Sequence, residues 1–275
     1  MGFAGKRVLV LEARLPDILA DLIARRGGDG VSVPAVVEVE VPAGEVAAPL
    51  TALCTGKVDI IVLQTGVGTK RLHTQAAALA LGDAYLEALR HLPVAVRGPK
   101  PTAVLHRWGI RPTISAPSPY TTAELCAAIA GLSLSGKAVF IQHYGQPNEP
   151  LRDFLRSRNA TTVDALPYRW ALPGDPAPLR RAVEGLMRGE FDALMITSQP
   201  QVANLFAVAD TLGATQALRQ ALNSRVTIAA VGPVARRALQ RHGVQVTVEP
   251  SEPKMAPLVR ALAEHFAESP VQRKG

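Results

Sequence analysis

One stretch of the sequence decides the fold because it occurs in two similar copies: Val58-Asp59-Ile60-Ile61-Val62-Leu63-Gln64-Thr65 and, about 133 residues later, Phe191-Asp192-Ala193-Leu194-Met195-Ile196-Thr197-Ser198. Two further pairs of segments are similar at nearly the same interval: Val94–Pro99 with Ile228–Pro233, and Lys6–Val10 with Lys137–Ile141. Similar units within one chain indicate two similar lobes. A groove between two such lobes is a natural place for a ligand.

Length, hydropathy and cysteine content limit the class of protein. A chain of 275 residues is long enough for two domains of about 130 residues, each with its own core. No apolar run approaches the roughly 20 residues that span a bilayer, and the N-terminus shows neither a signal peptide nor an acylation site. Two cysteines, and six histidines without metal-ligand spacing, predict no disulfide framework and no metal site. We therefore expect a cytoplasmic protein with no membrane partner.

The charge balance favours an anionic partner. The chain has 30 Lys and Arg against 23 Asp and Glu, a formal charge of +7, which suits nucleic acid, a membrane surface or a polyanionic metabolite. The basic residues are dispersed, and aromatic residues do not alternate with them as they do in proteins that bind single-stranded nucleic acid. The sequence therefore favours a small polyanion and predicts no nucleic-acid partner.

Predicted strands and helices alternate in both halves. The strands are continuous apolar runs: Arg7–Leu11, Asp59–Gln64, Val94–Val96, Ala138–Gln142, Asp192–Ile196 and Val226–Val231. The predicted helices include Pro16–Gly27, Pro99–Trp108, Thr121–Gly131, Pro150–Arg158, Pro178–Arg188, Val234–His242 and Ala256–Ala267. Two more helices are predicted to begin after Thr65 and after Thr197-Ser198, with a hydroxyl residue at each cap. Continuous apolar strands are typical of sheets covered by helices on both faces. The pattern predicts an α/β protein with two similar lobes, each an open and mostly parallel sheet with helices on both faces.

Two segments interrupt this alternation at equivalent places in the repeats. Val33–Val41 and Thr161–Trp170 are long and extended, and each alternates in polarity around a proline, which a central strand tolerates poorly. They suggest that the chain leaves one lobe at the first segment and returns at the second. The lobes are then 1–38 plus 170–270 and 39–168. Two sequential lobes divided near Ser133–Gly136 remain an alternative.

Candidate binding residues follow the strands, where ligands usually lie in open α/β sheets. Helix N-termini there offer backbone N–H groups and a positive dipole end to carboxylates or phosphates. An ordinary, well-capped strand-to-helix turn is the alternative. Lys100 in a first helical turn opposes the dipole, so an anion beside it would explain its position. The residues concerned are Thr65, Gly66, Val67, Gly68, Arg97, Gly98, Lys100, Tyr144, Gly145, Gln146, Ser198, Gln199, Gly232 and Pro233.

Signatures of nucleophilic catalysis are absent from the sequence. There is no Gly-x-Ser-x-Gly elbow, and neither cysteine has a catalytic flanking pattern. Carboxylates are scarce at the predicted strand ends. A site rich in donors and poor in acid/base pairs suits a reaction in which the substrate's own leaving group does much of the work.

The order and spacing of several motifs across nearly the whole chain resemble the uroporphyrinogen-III synthase family. The motifs are Asp59, Thr65-Gly66-Val67-Gly68, Arg97-Gly98-Pro99-Lys100, Tyr144-Gly145, Leu166-Pro167-Tyr168, Asp192, Thr197-Ser198, and Ala230-Val231-Gly232-Pro233 with Ala238-Leu239 and Gly243. The resemblance implies two α/β lobes joined by a two-stranded extended linker, with substrate in the cleft. This chain departs from the commoner family pattern at Gln199-Pro200-Gln201 and at the charged Arg97.

The resemblance also implies a reaction. Hydroxymethylbilane, a linear tetrapyrrole with eight carboxylates, closes to uroporphyrinogen III with loss of water and inversion of ring D, without a cofactor. Tyr168 matches the tyrosine that the family places beside the cleft, where it can protonate the departing water. The alternative role for Tyr168 is that of an aromatic residue packing the linker on a lobe. Transient hand-over from the preceding enzyme of the pathway is a further expectation.

Two other functions remain open at this point. The same repeat, with so few acid/base residues, also suits a non-catalytic two-lobed sensor that binds a small polyanionic ligand. A DNA-binding regulator is disfavoured by the dispersed charge.

Overall fold

The structure is a computed structural model that describes residues 2–12 and 16–268, with the backbone alone for residues 16 and 17. Its described residues form two compact units. Unit 1 contains residues 2–12, 16–37 and 171–268, and unit 2 contains Glu38–Trp170. The chain therefore passes from unit 1 into unit 2 and back.

The elements alternate along the chain. The strands are β1 Arg7–Val10, β2 Asp29–Ser32, β3 Val37–Glu40, β4 Ile60–Leu63, β5 Val94–Val96, β6 Ile114–Ser115, β7 Ala138–Gln142, β8 Thr161–Ala165, β9 Tyr168–Ala171, β10 Ala193–Ile196 and β11 Thr227–Ala230. The helices are α1 Pro16–Ala24, α2 Ala47–Cys54, α3 Gly66–Ala78, α4 Gly82–His91, α5 Pro99–Arg107, α6 Thr122–Ile129, α7 Glu149–Ser157, α8 Ala177–Arg188, α9 Gln199–Thr211, α10 Thr215–Ser224, α11 Pro233–Arg241 and α12 Met255–Glu268, with a short 3-10 helix at Ala43–Val46.

The two sheets have equivalent strand orders. The sheet of unit 1 has the order β11-β10-β1-β2, and that of unit 2 has the order β6-β5-β4-β7-β8. All of these neighbours pair in parallel. The predicted α/β class, with two similar lobes built on parallel sheets, is confirmed. The sequence analysis had missed the short strands β2 and β6 and the helices α2, α4 and α10.

Alternating side chains of each central strand enter different cores. In β4, Ile61 and Leu63 pack with one hydrophobic cluster, whereas Ile60 and Val62 pack with another. In unit 1, Leu194 of β10 joins one cluster and Met195 the other. Helices thus cover both faces of each sheet, which is why these strands read as continuous apolar runs.

An aspartate before the central strand of each unit ties it to a neighbouring strand. Asp192 accepts a 2.8 Å hydrogen bond from Lys6 Nζ and another of 2.8 Å from the N–H of Arg7. Asp59 accepts equivalent bonds, of 2.9 Å from Lys137 Nζ and 2.8 Å from the N–H of Ala138. The aspartates that mark the sequence repeat therefore hold the same strand pair in both units.

The second extended segment contains two strands. The pair β3 and β9 forms a two-stranded sheet, whereas Thr161–Ala165 is β8, an edge strand of the sheet in unit 2. The sequence had predicted Thr161–Trp170 as one extended segment outside the alternation of strands and helices, and the structure divides it into β8 and β9. Pro167 separates β8 from β9 because a residue without an N–H interrupts a ladder.

Candidate functional site

Three loops meet at the carboxyl edge of the sheet in unit 2. Leu63 at the end of β4 lies opposite Val96 of β5 and Gln142 of β7. The residues that follow these strands therefore start side by side, which is where ligands bind in open α/β sheets. This edge brings together the candidates from the three loops after β4, β5 and β7.

The first loop leads into α3. Thr65 caps this helix, and its Oγ1 accepts a 3.1 Å hydrogen bond from the N–H of Gly68. A Cβ at Gly66 would lie 2.8 Å from the carbonyl oxygen of Lys100, and one at Gly68 would lie 2.1 Å from Nε2 of Gln142. Both glycines thus permit close packing of protein atoms.

The side-chain amide of Gln142 lies under this loop. Its Oε1 accepts hydrogen bonds from the N–H groups of Gln64, at 3.0 Å, and of Thr65, at 2.9 Å. Its Nε2 donates to Thr65 Oγ1, at 3.3 Å, and to the carbonyl of His143. Gln142 is fully buried, so these bonds replace those that water would otherwise make.

Tyr168 reaches the same cap from β9. Its hydroxyl lies 3.3 Å from Oγ1 of Thr65, and the residue is 2% exposed. The guanidinium carbon of Arg71 lies 5.2 Å from the centre of its ring, a cation–π distance. Arg71 also lies 3.5 Å from a carboxylate oxygen of Glu38. Two hydroxyls and a cation are therefore adjacent at the start of α3.

A second cation follows β5. The guanidinium carbon of Arg97 lies 4.4 Å from the centre of the Tyr144 ring, a cation–π distance. Burial lowers the pKa of Arg97, while Tyr144 and Tyr168 raise it in part. Because an arginine stays protonated in proteins, Arg97 places a positive charge at the strand ends, where it can attract a carboxylate.

The loop after β7 is joined to β9 through its backbone. The N–H of Trp170 donates a 3.1 Å hydrogen bond to the carbonyl of Gly145. Gly145 has a φ of +81°, and a Cβ there would lie 2.4 Å from the Trp170 indole, so only glycine fits. The Tyr144 ring meets the same indole edge-on at 5.4 Å. These contacts hold Tyr144 beside β9, the strand that begins with Tyr168.

A chain of hydrogen-bonded polar side chains extends from this edge, buried at Gln64, Asn148 and His143 and exposed at Asp164. Nδ1 of His143 accepts a 3.0 Å bond from the N–H of Asn148, so the ring proton is assigned to Nε2, which donates to Asp164 at 2.7 Å. Asn148 in turn donates to Gln64 Oε1 at 2.6 Å. Burial opposes ionisation of Asp164, but its bond from His143 and its other partners hold the pKa of this carboxyl below its ordinary value.

The remaining candidates lie at the starts of helices and in the loop after β7. Val67 is half-buried in the first turn of α3, Gly98 is the buried N-cap of α5, and Lys100 and Gln146 are exposed. Four candidates belong to unit 1, at the N-termini of α9 and α11: Ser198, Gln199, Gly232 and Pro233. There, Oε1 of Gln201 accepts the N–H groups of Thr197, at 2.8 Å, and Ser198, at 3.2 Å.

Sequence reasoning missed Gln142, Arg71 and the His143–Asp164 pair. Gln142 could have been found from the sequence, since it is a glutamine at the end of an otherwise apolar strand. Arg71 carried none, because its contact with Tyr168 depends on how β9 packs along α3. Within residues 2–12 and 16–268, no group of three or more His, Cys, Asp or Glu is placed to hold a metal. No helix in this described part is both long and apolar enough to cross a membrane.

Comparisons with known proteins agree with the fold. Residues 17–260 match the family model of uroporphyrinogen-III synthase HemD. A crystal structure of a mutant uroporphyrinogen III synthase from Thermus thermophilus superposes with a TM-score of 0.79 at 28% identity, covering 96% of this chain and 99% of that one.

Two curated relatives are also similar in sequence. The uncharacterized protein YjjA of Bacillus subtilis is 30% identical over 97% of this chain and 98% of its own length. A putative uroporphyrinogen-III synthase of Methanothermobacter thermautotrophicus is 33% identical over 64% of this chain and 67% of its own length.

Proposed function

Because the chain belongs to the uroporphyrinogen-III synthase family, we propose that it closes hydroxymethylbilane to uroporphyrinogen III, with loss of water and inversion of ring D, in haem synthesis. The observation that carries this proposal is the contact of Tyr168 with Thr65 at the start of α3, beside the cations Arg71 and Arg97. A phenol held at a helix N-terminus among cations can donate a proton next to a bound carboxylate.

The proposed reaction needs one proton donor and precise positioning. Tyr168 gives its phenolic proton to the hydroxyl of ring A, which departs as water and leaves an azafulvene cation. Ring D then attacks through a spiro intermediate, and the proton lost on closure returns to the protein. No electron is gained or lost overall, so the chemistry needs no cofactor. Most of the acceleration then comes from holding the two chain ends together.

Helix N-termini of each unit are the proposed binding positions for carboxylates of the substrate. In unit 2, the N-terminus of α3 with Thr65 and that of α5 with Arg97 and Lys100 present backbone N–H groups and positive charge. In unit 1, the N-termini of α9 and α11 offer the candidates Ser198, Gln199, Gly232 and Pro233. The net charge of +7 adds a general attraction for a polyanion.

The proposal extends to the setting of the reaction. Free hydroxymethylbilane closes spontaneously to isomer I, so direct hand-over from the enzyme that makes it would protect the yield. We therefore propose that the protein is a cytoplasmic enzyme that binds the preceding enzyme of the pathway transiently.

The decisive experiment is an isomer assay. The protein is incubated with hydroxymethylbilane, the product is oxidised, and the isomers are separated by chromatography, with heat-inactivated protein as the control. Isomer III is expected with the native protein and isomer I with the control. Isomer I alone in both samples would overturn the proposal, and tight binding of the tetrapyrrole without turnover would then favour the sensor.

A further inference from the structure

We propose that Gln142 is a positioning residue that sets the direction of the hydrogen bond between Thr65 and Tyr168. On this inference, Thr65 donates to the phenolic oxygen, and the proton of Tyr168 is directed away from Thr65. The inference rests on the proposed function, because a Tyr168 hydroxyl that donated its proton to Thr65 would hold that proton at the helix cap.

The direction follows from the bonding capacity of the Thr65 hydroxyl. A hydroxyl has one proton to donate and two lone pairs to accept with. The N–H of Gly68, at 3.1 Å, and Nε2 of Gln142, at 3.3 Å, both approach Thr65 Oγ1 as donors. With both lone pairs engaged, the Thr65 proton is left for the Tyr168 oxygen at 3.3 Å.

The orientation of the Gln142 amide is itself determined by backbone groups. Its Oε1 faces two N–H groups, those of Gln64 and Thr65, which can only donate. Its Nε2 faces the carbonyl of His143, which can only accept. If the amide were flipped, its Nε2 would face the two N–H donors and its Oε1 would face the carbonyl, so neither atom would have a hydrogen-bond partner there. Nε2 is thus held toward Thr65.

Unit 1 shows that capping the backbone does not by itself require a glutamine at the strand end. The position equivalent to Gln142 is Leu11, and the position equivalent to Gly68 is Gln201. Gln201 accepts the two equivalent N–H groups from within its own helix, but its Nε2 donates to Thr197. The hydrogen bond from the Gln142 amide to the N-cap hydroxyl of Thr65 is therefore the feature that distinguishes unit 2 from unit 1.

The test transplants the arrangement of unit 1 into unit 2. The double variant Gly68→Gln/Gln142→Leu supplies an acceptor for the two N–H groups and removes the donor to Thr65. We expect kcat to fall at least about tenfold, KM to stay within about twofold, and Tm to stay within about 4 °C of wild type. A merely structural role for Gln142 would instead leave kcat at its wild-type value once the backbone is capped.

A second pair of variants keeps the inference testable if the double variant does not fold. Thr65→Asp retains an acceptor at the N-cap, which helices favour, but has no proton for Tyr168 once ionised. Thr65→Ser retains the proton. We expect kcat of Thr65→Asp to lie at least about tenfold below that of Thr65→Ser.

The outcomes separate the two claims. If the wild type yields only isomer I, the proposed function fails and the inference falls with it. If the wild type forms isomer III and the folded double variant keeps the wild-type kcat, the positioning role of Gln142 alone is overturned. If the double variant does not fold, equal kcat values for Thr65→Asp and Thr65→Ser overturn it.

Discussion

The junctions β4–α3 in unit 2 and β10–α9 in unit 1 differ in the side chain that accepts hydrogen bonds from their backbone. Each has two N–H groups to satisfy where the chain passes from strand to helix. Unit 2 uses Gln142, which comes from the neighbouring strand β7. Unit 1 uses Gln201, from the first turn of the helix that it caps. Equivalent backbones are thus stabilised once by a distant residue and once by a local one.

The difference teaches how a duplicated lobe can acquire an asymmetric site. The local cap of unit 1 is complete within a few residues, and Thr197 there donates to Glu12 at 2.8 Å. The distant cap of unit 2 leaves residue 68 as glycine and brings an amide donor to Thr65, next to Tyr168. Only unit 2 combines its cap with a tyrosine, so the proposed proton donor belongs to one copy of the repeat.

Removing the phenol of Tyr168 should have the largest effect. Tyr168→Phe deletes the proposed proton donor, and kcat for formation of isomer III should fall by about 100-fold. The measurement is the initial rate with hydroxymethylbilane.

The matched control is Tyr85→Phe in the same unit. The buried hydroxyl of Tyr85 has no hydrogen-bond partner among the described residues, so its removal should leave kcat unchanged. Equal kcat values for Tyr168→Phe and Tyr85→Phe would show that the reaction does not depend on the hydroxyl of Tyr168.

Closing the space at residue 68 should have the next largest effect. Gly68→Ala places a Cβ 2.1 Å from Nε2 of Gln142 and should lower the free energy of unfolding by about 1–3 kcal/mol. Urea denaturation measures this loss. Gly131→Ala is the control, because its Cβ would meet no atom within 4 Å. If Gly68→Ala were as stable as Gly131→Ala, the distant cap would not constrain this position.

The smallest effect concerns the support behind the cap. The pKa of Asp164 lies below its ordinary value of 3.8, so its ionised form favours the folded state. That contribution is present above the ordinary value and is lost as the pH falls through the lowered one. The Tm of wild type should therefore exceed that of Asp164→Asn by a constant amount between about pH 6 and 8, and the gap should close toward about pH 3.

The control for this pH series is the exposed ion pair of Asp153 with Arg156 on α7, at 2.7 Å. Asp153→Asn should change Tm little at any pH, because exposed pairs contribute little. A gap for Asp164→Asn that does not narrow in acid would mean that its carboxylate does not stabilise unit 2.

Several features of the fold were predictable because they are local. The apolar runs that precede Gln64 and Thr197 indicated the central strands, and the Gly-Pro pairs at Gly98 and Gly232 indicated the starts of α5 and α11. The helix α4 was missed because its apolar positions follow closely on α3 without a strand between them. Thr161–Ala165 was predicted to be extended but was not assigned to the sheet, because an edge strand and an extended connection show the same alternation of polarity.

The candidate site was predictable only in outline. Strand ends pointed to Thr65, Arg97 and Tyr144, and the family resemblance pointed to Tyr168. The importance of Gln142 depends on β7 lying beside β4, although β5 and β6 come between them in the chain. Such an order is not encoded in any local pattern of residues.

The sequence by itself determined the α/β class, the duplication and the strand ends, because burial on both faces of a parallel sheet leaves a continuous apolar run in each strand. Tertiary structure alone decided which side chains meet at those ends. Gln142 reaches Thr65 because β7 lies beside β4, and Tyr168 reaches the same hydroxyl from β9, so residues 77 and 103 positions away in the chain meet at Thr65. Pairing between distant strands is a property of the whole sheet, so only the folded chain specifies it.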